Sequence, residues 1–209
     1  MTGRFIVFEG IDGSGTTTQA MMLHGFLLSK SKKALITSEP SSGPVGCLIR
    51  LTHTKRISST GDRHSRERYL SRLFAADRDD HLYNDENGIL KQIESGYYVL
   101  STRYYLSSFA YHVFEERDYE FVDQINKDFP PPDYTFYLDC SIECSLKRIT
   151  SSRLPDINEE KTNLLRVKRN YEYAIPRYKG KISIINADRK PQDIHREIVS
   201  ILQNAGLIQ

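Results

Sequence analysis

The feature that most constrains this chain is the segment Gly10-Ile11-Asp12-Gly13-Ser14-Gly15-Thr16-Thr17. A short apolar run, Phe5-Ile6-Val7-Phe8, leads into it, and Thr16 to Ser29 follows with the apolar residues Met21, Met22, Leu23, Phe26 and Leu27. A short apolar run bounded by glycine suits a strand buried on both faces. Glycines permit left-handed backbone angles, so successive N–H groups can converge on an anion. The N-terminus of the following helix adds partial positive charge. Strand, glycine loop and helix in that order predict a phosphate-binding loop. Gly10, Ile11, Asp12, Gly13, Ser14, Gly15, Thr16, Thr17 and Thr18 are its candidate phosphate contacts, with the Thr17 hydroxyl placed to ligate Mg²⁺. The pattern G-x-x-x-x-G-K-[ST] asks for lysine where Thr16 stands. Losing one preorganised stabiliser of this kind typically costs ~10²–10³ in rate. A tight glycine turn with no ligand is the alternative reading.

The rest of the chain alternates strands and helices. Ala34–Thr37, Tyr97–Leu100, Tyr134–Leu138 and Ile182–Ile185 read as further strands. Helices are expected from Gly43-Pro44 through Arg50, over Ser65–Glu94 with a break near Asn84–Gly88, over residues 104–116, from Ser141, over Glu159–Lys179 and over Asp193–Gln203. The alternation predicts an α/β protein with a five-stranded parallel sheet flanked by helices. No internal repeat or linker interrupts it, so residues 1–209 are expected to form one domain. The polar stretch Ser151–Asn158 suits a short lid, about 150–158.

Composition narrows the function classes. A formal net charge of +2 is too small to argue for nucleic acid or an anionic membrane, and neither is expected as a partner. No apolar run reaches the ~18–20 residues that span a bilayer, and the N-terminus reads as a strand rather than a signal peptide, so a cytoplasmic location is expected. Three cysteines, Cys47, Cys140 and Cys144, make no disulfide framework. A Cys-x3-Cys pair is weak evidence of a metal by itself, and ordinary packing is the expectation for Cys140 and Cys144.

Six segments in register resemble the thymidylate kinase family of P-loop nucleoside-monophosphate kinases, from Phe5 to about Ile201. FEGIDGSGTTTQ resembles that family's loop, and SEPSSGPVGCLIR its R-E-P-G-G-T-P-x-G-x-x-I-R segment through Glu39, Pro40, Gly46 and Arg50. LFAADRDDH resembles F-A-A-D-R-x-x-H. STRYYLSSFAYH resembles D-R-Y-x-x-S-S-x-A-Y-Q, and PDYTFYLD resembles P-D-L-T-x-Y-L-D. Asn186-Ala187-Asp188 resembles the loop that borders the adenine. The resemblance implies a three-layer P-loop NTPase fold, ATP as donor, Mg²⁺ as cofactor, dTMP as acceptor and a homodimer.

The resemblance also implies roles. Phe74 would stack on the thymine and Arg78 would hydrogen-bond to it. Arg50 and Arg103 would clamp the acceptor phosphate. Ser107, Ser108 and Tyr111 would complete the acceptor pocket, Asp12 would touch the sugar hydroxyl, and Glu39 would lie near metal and acceptor. Family members whose phosphate loop lacks an arginine carry one in the lid. Arg153 is the match here, with Lys147 and Arg148 just before it, and Arg153, Arg103 and Asp12 are the catalytic candidates.

Three charged family positions are neutral in this chain: Thr16 for lysine, Ser38 for arginine and Thr102 for aspartate. Loss of the lysine together with a nearby carboxylate avoids leaving either charge unpaired. Two other readings stay open. Thr16 and Thr102 suit a nucleotide-binding pseudo-kinase, whereas Ser38 and His112, which replaces the family's glutamine, leave room for another pyrimidine nucleotide or a nucleoside as acceptor.

Overall fold

The computed structural model describes residues 3–57, 61–150 and 157–208. Its strands are β1 (Arg4–Glu9), β2 (Ala34–Ser38), β3 (Tyr98–Thr102), β4 (Tyr134–Asp139) and β5 (Ile182–Asn186). They form one sheet in the order β2-β3-β1-β4-β5, parallel throughout. This is the α/β architecture expected from the alternation of elements.

The central strand explains its own composition. Ile6 and Phe8 enter one apolar cluster, and Phe5 and Val7 enter another. A strand covered on both faces needs apolar side chains at consecutive positions, and β1 has them. The first cluster draws on α1 (Thr16–Ser29), α8 (Ile157–Ala174) and α9 (Pro191–Asn204). The second draws on α3 (Arg63–Tyr83) and α4 (Ile89–Glu94). Helices therefore cover both faces and give three layers.

Between these lie α2 (Pro44–His53), α5 (Tyr105–His112), α6 (Glu116–Asn126) and α7 (Ile142–Thr150). The break between α3 and α4 falls where the turn residues predict it. Asn84 Oδ1 accepts from the backbone N–H of Glu86 and Asn87, and Gly88 precedes α4.

Two expectations need correction. In place of a single helix over 104–116 the chain forms α5 followed by the separate α6. A capping box between Glu115 and Asp118 starts α6 and supplies its first backbone donors with acceptors. The helix expected to run to Lys179 ends at Ala174 and tightens into a 3-10 turn, Ile175–Arg177. Pro176 lies in that turn and cannot donate the next helical hydrogen bond.

In a parallel sheet all strands end on the same side, and ligands bind in the crevice beyond those ends. Here that edge carries Glu9-Gly10, Glu39, Thr102-Arg103, Cys140 and Ala187.

Candidate active site

The segment after β1 has the backbone of an anion cradle. Gly13 and Gly15 have φ of +74° and +97°, a region side chains rarely adopt. A β-carbon on Gly13 would lie 2.7 Å from the Ser145 carbonyl oxygen, so the loop and α7 approach as closely as glycine allows. The N-cap of α1 is Gly15, with no side-chain cap and no acidic residue in the first turn. The first N–H groups of that helix thus keep their affinity for a ligand.

This loop lines a cavity of about 490 Å³. Ile11, Asp12, Gly13, Gly15, Thr16, Thr17 and Thr18 face it from the loop and the start of α1, and Glu39 and Thr102 from the ends of β2 and β3. Gly10 and Ser14 support it from behind. The Gly10 carbonyl accepts from Arg103 Nη1 at 3.3 Å, and the Ser14 side chain is buried. Among the described residues lining this cavity, the cations are Arg103 and Arg148. Arg148 is a strap: its guanidinium donates to the carbonyls of Gly13 at 3.1 Å, Ser14 at 3.4 Å and Ala187 at 3.0 Å. It joins the phosphate loop to the loop after β5, where Ala187 is buried.

A second cavity of about 450 Å³ lies beside the first. Phe74, Arg78, Arg103, Ser107, Ser108 and Tyr111 all line it, as do His53, Glu67 and His112. The half-buried Phe74 ring lies between His53 and His112, with centroids at 6.1 and 5.0 Å. His112 Nδ1 is 3.3 Å from Glu67 Oε2. Asp12, Glu39 and Arg103 line both cavities and mark where they meet.

Arg103 is built into that junction. Its backbone has φ of +75°, uncommon for a non-glycine residue, and its N–H donates to the Phe8 carbonyl at 2.8 Å. Its Nη2 donates to Asp12 Oδ1 at 2.5 Å, and the guanidinium stacks over Tyr111 at 4.5 Å from the ring centroid. A strained backbone held by several contacts is characteristic of functional positions.

Arg78 and Glu39 are closer partners than their sequence separation suggests. Both are buried, and Arg78 donates from Nε at 3.0 Å and Nη2 at 2.5 Å to Glu39 Oε2. Arg78 also donates to Asn126 of α6 and to Ser108 Oγ at 3.2 Å. Asp77, the residue before it, accepts from Ser41 N–H and Oγ at 2.7 and 2.6 Å and so anchors the segment after β2.

Arg50 does not line either cavity. It is exposed and donates to the carbonyls of Pro40 at 3.1 Å and Ser41 at 2.6 Å. Arg153 lies outside the described residues.

Glu9 and Tyr171 support the site from behind through Ser107, and motif reading passed over both. Glu9 is fully buried under the junction and accepts from Tyr104 N–H at 2.8 Å, Ser107 Oγ at 2.6 Å and Tyr171 Oη at 2.8 Å. Burial pushes its carboxyl up to about 7, against the opposing pull of those donors and of Arg103. A carboxylate closing an apolar strand was the available signal for Glu9. Tyr171 lies 162 positions away, so no local pattern connects them.

Fold and loop together define a P-loop nucleotide-binding protein. A family model for thymidylate kinase matches residues 8–198. A probable thymidylate kinase of Methanococcus aeolicus is 35% identical over 210 residues, covering 98% of each chain. A probable thymidylate kinase of Pyrococcus horikoshii is 34% identical over 205 residues with the same coverage. A thymidylate kinase of Desulfotalea psychrophila is 39% identical over 164 residues, 78% of this chain and 77% of that one. The chain belongs to the thymidylate kinase family, as the sequence resemblance implied. No helix among the described residues is long and apolar enough to cross a membrane.

Proposed function

We propose that this chain transfers the γ-phosphoryl group of ATP to dTMP, giving ADP and dTDP. The observation that carries the proposal is the meeting of two cavities at Asp12, Glu39 and Arg103. Phosphoryl transfer needs donor and acceptor aligned and positive charge around the moving group, with little covalent help. The loop cavity suits the donor phosphates, with Ala187 beside the adenine. The second cavity suits a pyrimidine monophosphate: Phe74 stacks on the base, Ser107, Ser108 and Tyr111 frame it, and Arg103 holds the phosphate. The names of the relatives, thymidylate kinases, support thymidylate as the acceptor.

The donor cavity fits Mg²⁺ chemically. Thr17 and Glu39 present oxygen atoms to it, and Mg²⁺ takes a few such ligands while keeping waters and phosphate oxygens. When bound, the ion would neutralise charge on the phosphates. Arg78 reaches the base edge while paired to Glu39. Arg50 acts from the rim through the segment it braces. Arg153, by the family resemblance, would supply positive charge to the transferring group. The proposed enzyme is a cytoplasmic homodimer.

A steady-state assay with ATP, Mg²⁺ and a panel of nucleoside monophosphates tests this reading. The expected result is kcat/KM for dTMP at least about tenfold above other pyrimidine monophosphates, the worth of one well-placed contact. A second reading, a nucleotide-binding pseudo-kinase, is favoured by Thr16 and Thr102 in the loop cavity. Nucleotide binding without turnover on any acceptor would select it. Turnover with another pyrimidine substrate alone would move the specificity elsewhere.

A further inference from the structure

We infer that Cys140, Cys144 and Asp188 form a binding site for a thiophilic divalent cation such as Zn²⁺ or Cd²⁺. The two thiol sulfurs and a carboxylate oxygen lie within 4.8 Å of one another. The parallel register creates this meeting. Asp139 of β4 pairs with Asn186 of β5, and the Ala187 N–H donates to the Asp139 carbonyl at 2.8 Å. The residues just past the two strand ends, Cys140 and Asp188, therefore emerge side by side. Cys144 joins them from the first turns of α7.

Local hydrogen bonds aim the ligands. Asp188 Oδ1 accepts from the Ser141 N–H at 2.9 Å, and Ser141 Oγ accepts from the Cys144 N–H at 3.2 Å. Outer contacts of this kind orient metal ligands. Arg148 Nη1 lies 3.7 Å from Cys140 Sγ, but burial and the neighbouring Cys144 push the Cys140 thiol up, so a cation bound here must displace that proton.

Ligand chemistry selects the ion. Tetrahedral zinc with Zn–S of ~2.3 Å and Zn–O of ~2.1 Å requires ligand atoms ~3.5–3.8 Å apart, so closing the site needs a contraction of no more than about 1.2 Å. Two sulfurs favour soft or borderline cations over Mg²⁺ and Ca²⁺. Three protein ligands leave one position to water.

The site has a route to the nucleotide. Its cation ties the loop after β5 to α7, and α7 carries the Arg148 strap across the phosphate loop. Occupancy therefore alters donor affinity, a consequence that rests on the proposed function; the metal site itself does not.

The test titrates the full-length, reduced protein with Cd²⁺ and follows the ultraviolet sulfur-to-cadmium charge-transfer band. One Cd²⁺ per chain is expected, displaced by Zn²⁺ and not by Mg²⁺. Cys144→Ser should at least halve the band and weaken binding, Asp188→Asn should weaken binding about tenfold or more, and Cys47→Ser should leave both unchanged. Absence of a band in the unmodified protein overturns the assignment. So does a band that keeps its full intensity in Cys144→Ser, an affinity that ignores Asp188→Asn, or a band that depends on Cys47. Because no turnover is measured, failure here is separable from failure of the kinase reading.

Discussion

The absent loop lysine poses the sharpest question at the scale of single residues. Thr16 lines the donor cavity with Thr102, so cation and carboxylate of the family pattern are both missing from one place. If the surroundings are adapted to that pair of losses, Thr16→Lys should change turnover with ATP and dTMP by less than about tenfold. A gain of roughly a hundredfold, the usual worth of one preorganised stabiliser, would mean a merely impaired loop. Arg153→Ala should lower turnover by ~10²-fold in the same assay, because the lid arginine is proposed to supply the missing charge. Arg78 makes a different kind of claim. Its removal leaves Glu39 as a buried, uncompensated carboxylate, so Arg78→Met should cost about 3–5 kcal/mol in urea denaturation. Combining it with Glu39→Gln should recover part of that loss, because the two residues are in direct contact.

Whole elements meet where the phosphate loop docks on α7. Ser145 Oγ donates to the Asp12 carbonyl at 2.6 Å, Arg148 straps Gly13 and Ser14, and Gly13 packs against the Ser145 backbone. The helix is therefore part of the loop's scaffold. Gly13→Ala puts a side chain at φ +74° and a carbon 2.7 Å from a backbone oxygen. It should destabilise the protein by at least about 1–2 kcal/mol, the cost of the left-handed backbone alone. It should also raise KM for ATP more than KM for dTMP. Equal effects on both substrates, measured by steady-state kinetics, would detach α7 from the donor site.

Glu9 acts on the scale of the whole molecule, because it joins the end of β1 to α5 through Ser107 and to α8 through Tyr171. Its carboxyl rises from 4.5 to about 7, chiefly through burial. The folded chain thus binds a proton there that the unfolded chain has released at neutral pH. The stabilising contribution of the neutral form is complete below pH 4.5 and is lost as pH rises through about 7. Relative to Glu9→Gln, the unmodified protein should therefore lose stability between pH 5 and pH 8, by up to about 3 kcal/mol. Urea denaturation of both proteins across that range measures the difference. A constant difference would mean that Glu9 keeps one protonation state throughout.

Local physics accounts for what the sequence determined by itself. Apolar runs marked all five strands, turn residues marked the break before α4, and a strand-glycine-helix succession marked the phosphate loop, because each signal depends on residues a few positions apart. Family-like segments brought Phe74, Arg78, Ser107, Ser108 and Tyr111, the proposed acceptor residues, to one list, and the fold brings them to one cavity. The ends of α5 and α8 were missed because a capping box and a proline turn cut through a continuing helical pattern. Only the tertiary structure decided the long-range partnerships: Glu9 with Tyr171, Arg78 with Glu39 and Asn126, and Arg148 with Ala187. It also turned a weak Cys-x3-Cys spacing into a three-ligand cluster by delivering Asp188 from the neighbouring strand end. Strand register and side-chain burial create those pairings, and neither is written in any short window of the chain.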